Sequence, residues 1–120
     1  MNRTEHWIKG SDNAITLYLL EDDDPILGVW NELRIAIGDP VLVAITRLGD
    51  GDGISFAGGT LSIQPGALTA QEILDTNAAL RDDRVERVSI RIKSSTDING
   101  VHFGEDDSDD RLYFHIHNPP

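Results

Sequence analysis

Apolar and polar residues alternate with a period of two along most of this chain, the mark of strands that bury one face. In "AITLYLL" (14–20), Ile15, Leu17 and Leu19 share a face. In "ELRIAI" (32–37), Leu33, Ile35 and Ile37 point one way and Glu32 and Arg34 the other. "VLVAITR" (41–47) groups Val41, Val43 and Ile45. "GISFAGGTLSIQ" (53–64) reads as a strand, a Gly-Gly turn or bulge, and a second strand. The clearest alternation is in "RVERVSIRIK" (84–93): Val88, Ile90 and Ile92 face in, while Arg87, Ser89, Arg91 and Lys93 face out. "RLYFHIH" (111–117) closes the series with Leu112, Phe114 and Ile116 inward.

One segment departs from period two. In "LTAQEILDTNAAL" (68–80), Thr69 precedes Glu72 by three residues, the spacing of a capping box. Leu68, Ile73, Leu74 and Leu80 follow as a loose helical stripe, which predicts a short helix over about 69–80. Between the elements lie acidic, Gly and Pro turns such as "EDDDP" (21–25), "GDGDG" (49–53) and "EDDSDD" (105–110). Six to eight short strands at this spacing predict an all-β, Ig-like β-sandwich with one helix. The expected organisation is a single domain over 1–120 with a short N-terminal arm at 1–13.

Composition narrows the chemistry. A chain of 120 residues can bury a core without covalent staples. It has no cysteine, so disulfides, thiolate nucleophiles and zinc–thiolate sites are excluded. The polar start "MNRTEHWIKGSDN" lacks the apolar core of a signal peptide, and no apolar run is long enough to span a membrane. The formal charge of −11 disfavours direct contact with nucleic acid or an anionic membrane and favours a basic partner.

The candidate sites are few. His115 and His117 are two apart on a strand, so they share a face about 7 Å apart at Cα. That face is opposite Phe114 and Ile116, and Tyr113 lies on it too. A shared metal would need a third ligand, for which His102 or an acid of 105–110 is the candidate. Without a partner at fixed spacing, the pair reads as a solvated or subunit-contact face with no metal. Counting a calcium loop from Asp50 puts Asp52 at position 3 but Ile54 at 5 and Ser55 at 6, so the EF-hand pattern fails. A tight turn with glycines at positive φ is expected instead. The chain has no GxSxG, P-loop, HExxH or GxGxxG motif. The expectation is therefore no catalytic residue and no cofactor. Trp30 reads as a core plug or sheet-end cover, and Trp7 as core or as an anchor for a neighbouring subunit.

The order of these features resembles the small β-sandwich of phage tail and baseplate proteins, typified by the N-terminal domain of siphophage baseplate upper proteins. The resemblance is one of arrangement. It rests on "WIKGSDNAITLYLLEDDDPI" (7–26), on the paired strands and glycine turns of 32–64, and on "ALTAQE", "RVERVSIRIKSS" and "GVHFG". The helical segment is longer than in that pattern, and "EDDSDD" lies outside it. The resemblance implies a non-enzymatic structural protein of the virion, assembled in the host cytoplasm. Its partners would be other virion proteins or copies of itself in a homo-oligomer or larger complex. The expected contact surface is Trp7, Tyr113, His115 and His117, with the acid clusters Asp22, Asp23, Asp24 and Asp106, Asp107, Asp109, Asp110. The alternative class is a small acidic intracellular inhibitor, of the toxin-immunity or anti-defence kind, whose acid clusters meet a basic protein. A metal-binding or enzymatic module built on the histidines is the third.

Overall fold

A computed structural model describes residues 3–9, 13–21, 24–25, 29–81, 83–95, 98–104 and 111–117. The fold is mostly β, as the alternation predicts. Its strands are β1 (Arg3–Ile8), β2 (Ile15–Tyr18), β3 (Leu20–Glu21), β4 (Asp24–Pro25), β5 (Trp30–Ile37), β6 (Val43–Arg47), β7 (Ile54–Ala57), β8 (Thr60–Ile63), β9 (Val85–Ser94), β10 (Val101–Phe103) and β11 (Leu112–His117). One helix, α1 (Ala70–Ala79), follows a 3-10 turn at Pro65–Ala67.

The larger sheet has the order β1-β11-β9-β5-β6, with β10 beside β9, and the smaller has the order β2-β8-β7. β3 and β4 form a separate two-stranded ribbon. All pairings are antiparallel except β1 with β11, which is parallel. Immunoglobulin-type sandwiches place their second, fifth and fourth strands in one sheet and the third, sixth and seventh in the other. The β2-β8-β7 and β5-β9-β11 sets reproduce that division, so the fold is an Ig-like sandwich. The cysteine pair that pins the two sheets in antibody domains has no counterpart here. A largely aliphatic core takes its place, with Leu17 and Leu61 from one sheet and Ile35, Ile90 and Phe114 from the other all fully buried.

The inward residues expected on β2, β5, β9 and β11 are all buried. Val41 is not. It lies in the β5–β6 turn, which is closed by the Leu42 amide donating to Ile37 O at 2.8 Å, and it is half exposed. The alternation of 41–47 therefore begins only at Val43, after the turn has set the strand's phase. Gly58 and Gly59 do form a hairpin turn, with φ of +58° and +80°. Asp52 and Gly53 also turn tightly at positive φ, closed by the Gly51–Ile54 bridge, but that turn lies between strands of different sheets.

Within the expected N-terminal arm (1–13), Arg3–Ile8 form strand β1, held in the sheet along its length by β11. Its residues "RTEHWI" carry only two large apolar side chains, too few to show a period. Trp7 is correspondingly a core residue, 2% exposed and packed on Phe114 with ring centroids 5.6 Å apart. It cannot anchor a neighbour from there. Trp30 opens β5 half-buried against the core, and its indole N–H donates to Phe56 O across the sandwich at 3.0 Å.

The capping box of α1 forms in both directions between Thr69 and Glu72. The buried stripe is Ile73, Thr76 and Leu80, while Leu74 is exposed. A helix turns about 100° per residue, so Leu74 is carried off the face that Ile73 shares with positions three and seven further on. Glu72 also takes a bidentate bond from Arg47 at the end of β6, at 2.5 and 2.6 Å. At the other end of the helix, the Lys9 ammonium donates to the carbonyls of Asn77 and Leu80. The helix thus joins the two edge strands of the larger sheet. Among the described residues no helix is long and apolar enough to cross a membrane.

The Arg47 guanidinium holds the Glu72 carboxyl below the usual carboxylate range, chiefly through their paired hydrogen bonds and with help from Thr69, against a smaller opposing effect of burial. A lowered folded-state value means that this carboxylate stabilises the fold above the unfolded value of about 4.3. The contribution disappears as pH falls through the folded value. Glu72→Gln should therefore cost about 1.5–3 kcal/mol at neutral pH, because a mostly buried charged bond is lost. The gap between wild type and variant should begin to narrow as pH falls below the unfolded value and close once it lies below the lowered folded one, in parallel urea titrations. A gap of constant size across the acid range would show that the ion pair contributes nothing.

Candidate functional site: a three-histidine face

Outward side chains of β11 and its parallel neighbour β1 build this site. Phe114 and Ile116 are drawn into the core, which turns Tyr113, His115 and His117 to the outer face of the sheet. On β1 the burial of Trp7 turns His6 the same way. The parallel register sets Thr4 beside Tyr113, His6 beside His115, and Ile8 beside His117. Adjacent strands lie about 4.8 Å apart, so the third imidazole stands next to the pair.

The rings are clustered tightly. His115 and His117 have centroids 4.2 Å apart, His6 and His117 5.0 Å, and His6 and His115 5.6 Å. His6 Nδ1 and His117 Nε2 share a hydrogen bond of 2.8 Å, one ring donating and the other accepting according to tautomer. One ligand nitrogen can be drawn from each ring so that all three lie within 4.8 Å of one another. His6 is exposed and the other two are half-buried.

Asp83 adds a carboxylate at the rim, with Oδ1 3.1 Å from His115 Nε2. Asp83 adopts a left-handed φ of +59°, a conformation Asp tolerates better than most residues. It is held there by backbone bonds across the end of β11: the Asp83 amide donates to Ile116 O, and the Ile116 amide donates to Arg84 O, both at 2.8 Å. Exposed Val85 of β9 stands beside His115, and Arg87 beside Tyr113.

Of the residues expected at a contact surface, Tyr113, His115 and His117 lie together on this face, and Trp7 lies beneath it. Asp24 falls in β4. Asp22, Asp23, Asp106, Asp107, Asp109 and Asp110 lie outside the described residues. His102 is on β10, beside the 90–92 half of β9, and its ring meets Asn99 O at 3.3 Å. It does not join the cluster. The ligand-type residue that the sequence pattern passed over is His6. Its signal was available only through Trp7: once that tryptophan is buried in a strand, its neighbour must face outward.

The "GDGDG" turn carries its own closed set of bonds. The Asp50 carboxylate accepts from the Phe56 amide at 3.0 Å, and Arg47 donates to the carbonyls of Gly51 and Asp52. It works as a structural turn that ties β6 to the smaller sheet.

No protein-family model matches this sequence, and no curated protein is significantly similar to it.

Proposed function

We propose that this chain is a non-enzymatic assembly module, a structural protein of a phage or phage-like tail that packs against other tail proteins or copies of itself. The supporting observation is the outer face of β1 and β11 beside an open sheet edge. Tyr113 and three imidazoles cover that face where long charged side chains would suit a solvated one. Such ring-rich surfaces are suited to protein contact. Among the described residues no strand pairs with the free side of β1. Exposed backbone of this kind can take a strand from a neighbour.

Sedimentation of the purified chain, with electron microscopy of tails that carry it, tests this reading. The expected result is a discrete oligomer or a regular decoration. Tyr113→Glu should dissociate it while leaving the circular dichroism spectrum unchanged, since the residue is only half-buried. A chain that stays monomeric at every concentration and adds no density to tails overturns the reading. A one-to-one complex with a basic protein would point instead to the acidic-inhibitor class.

A further inference from the structure

We infer that His6, His115 and His117 form a binding site for one divalent transition-metal ion of the zinc class, with Asp83 orienting the His115 ring and one coordination position open. This does not rest on the assembly reading, since every ligand comes from a single chain.

The first support is convergence. Two imidazoles two apart on one strand point the same way but need a third ligand to hold an ion. The parallel register supplies it, because His6 is the Cα partner of His115. Four-coordinate zinc with bonds of about 2.0–2.1 Å spaces its ligand nitrogens about 3.3–3.4 Å apart. The ligand nitrogens here already lie within 4.8 Å, and His6 and His117 are in direct contact at 2.8 Å. Small rotations of the rings convert one arrangement into the other. The backbone need not move, as both strands are fixed by the buried Trp7, Phe114 and Ile116 beneath.

The second support is Asp83. Ligating histidines commonly give their other ring nitrogen to a carboxylate, which sets the tautomer and the ring angle. The Asp83 carboxylate meets Nε2 of His115, so Nδ1 of that ring is the nitrogen left for an ion. The Asp83 backbone stands in a left-handed conformation held to β11 by its amide bond to Ile116 O, with Arg84 O accepting from the Ile116 amide beside it, which keeps the carboxylate within reach of His115.

The ligand chemistry selects the metal. Three neutral nitrogen donors suit zinc, copper, nickel or ferrous iron, and offer nothing to calcium or magnesium, which take oxygen. The chain's charge of −11 raises the local concentration of any cation. Three protein ligands on an exposed face leave the fourth position to water or to a donor from outside the chain. The ion would clamp β1, an edge strand, to β11.

Calorimetric titration of untagged, chelator-stripped protein with Zn²⁺ in excess Ca²⁺ tests the site, with Co²⁺ absorption as a second readout. Excess calcium competes for carboxylate oxygens, so weak Zn²⁺ binding to surface acids is suppressed. One equivalent of Zn²⁺ should bind, Tm should rise with it, and Co²⁺ should show the strong visible bands of four-coordinate geometry. His6→Asn and His117→Asn should each weaken binding at least tenfold and abolish the Tm rise. Asp83→Asn should weaken binding roughly 10- to 100-fold, the usual effect of losing such an orienting partner. His102→Asn should change nothing. All three cluster residues carry exposed or half-exposed side chains, so the variants should remain folded, which circular dichroism checks. Absence of saturable Zn²⁺ uptake overturns the site, and so does uptake that survives both His6→Asn and His117→Asn or falls equally in His102→Asn.

Discussion

Ile90→Asp should abolish folding, while Arg91→Asp at the next position should leave a folded domain. Ile90 is 0% exposed in the middle of β9, between Ile35 of β5 and Phe103 of β10. The substitution forfeits about 1.5–3 kcal/mol of apolar burial. It also places a carboxyl where no partner can reach it, which costs several kcal/mol more whether the group ionises or stays protonated. Together these match the roughly 5–15 kcal/mol by which a domain is stable at all. Arg91 points outward, where its guanidinium donates to Asn99 O at 2.9–3.0 Å. Its cross-strand partner is Arg34, a like-charge pair that an aspartate would turn into an opposite one. The lost bonds are therefore partly offset, and the net change should stay within about 1–2 kcal/mol. Circular dichroism and urea midpoints of the two variants check this. If Arg91→Asp were the more damaging change, β9 would face the other way.

Gly104→Ala should destabilise the fold by about 3 kcal/mol or more, and Gly58→Ala by only about 1 kcal/mol. Both glycines have positive φ, +74° and +58°, so both substitutions carry the strain of a left-handed alanine. Only Gly104 adds a collision. A Cβ there would lie 2.2 Å from the Val88 carbonyl oxygen, whereas at Gly58 it would meet nothing within 4 Å. Val88 sits in the central strand and is fully buried, so its backbone cannot yield without disturbing the core. At this point β9 exchanges one partner for another along the same edge: β10 pairs with residues 90–92 and β11 with 85–88. Arg87 braces the junction by donating to Gly104 O at 3.1 Å. Equal urea midpoints for the two alanine variants would show that the close approach is absent.

Much of this architecture follows from patterns a few residues long. Alternation in 32–37, 84–93 and 111–117 assigns the buried face of each strand, because successive side chains of a strand must leave it on opposite sides. The Thr69–Glu72 spacing starts α1, because both capping bonds are made within one turn. The Gly58–Gly59 pair makes its hairpin for the same local reason. The outward direction of His115 and His117 was legible too, since Phe114 and Ile116 claim the core.

What the sequence by itself determined, then, is the buried face of the alternating strands β2, β5, β9 and β11, the start of α1 and the Gly58–Gly59 turn, while β1, with too few apolar residues to show a period, was not marked. Only the tertiary structure decided which strands are neighbours and in what register. The histidine face depends wholly on that decision. His6 and His117 are 111 residues apart, and nothing local to either pattern brings them together. The contact arises because β1 lies parallel to β11, with Trp7 sunk against Phe114, and a shift of one residue would have turned His6 away. The Arg47–Glu72 pair and the fit of Gly104 against Val88 have the same origin. Register between distant strands is selected by burial of the whole core at once, a sum over both sheets that no single stretch of the chain contains.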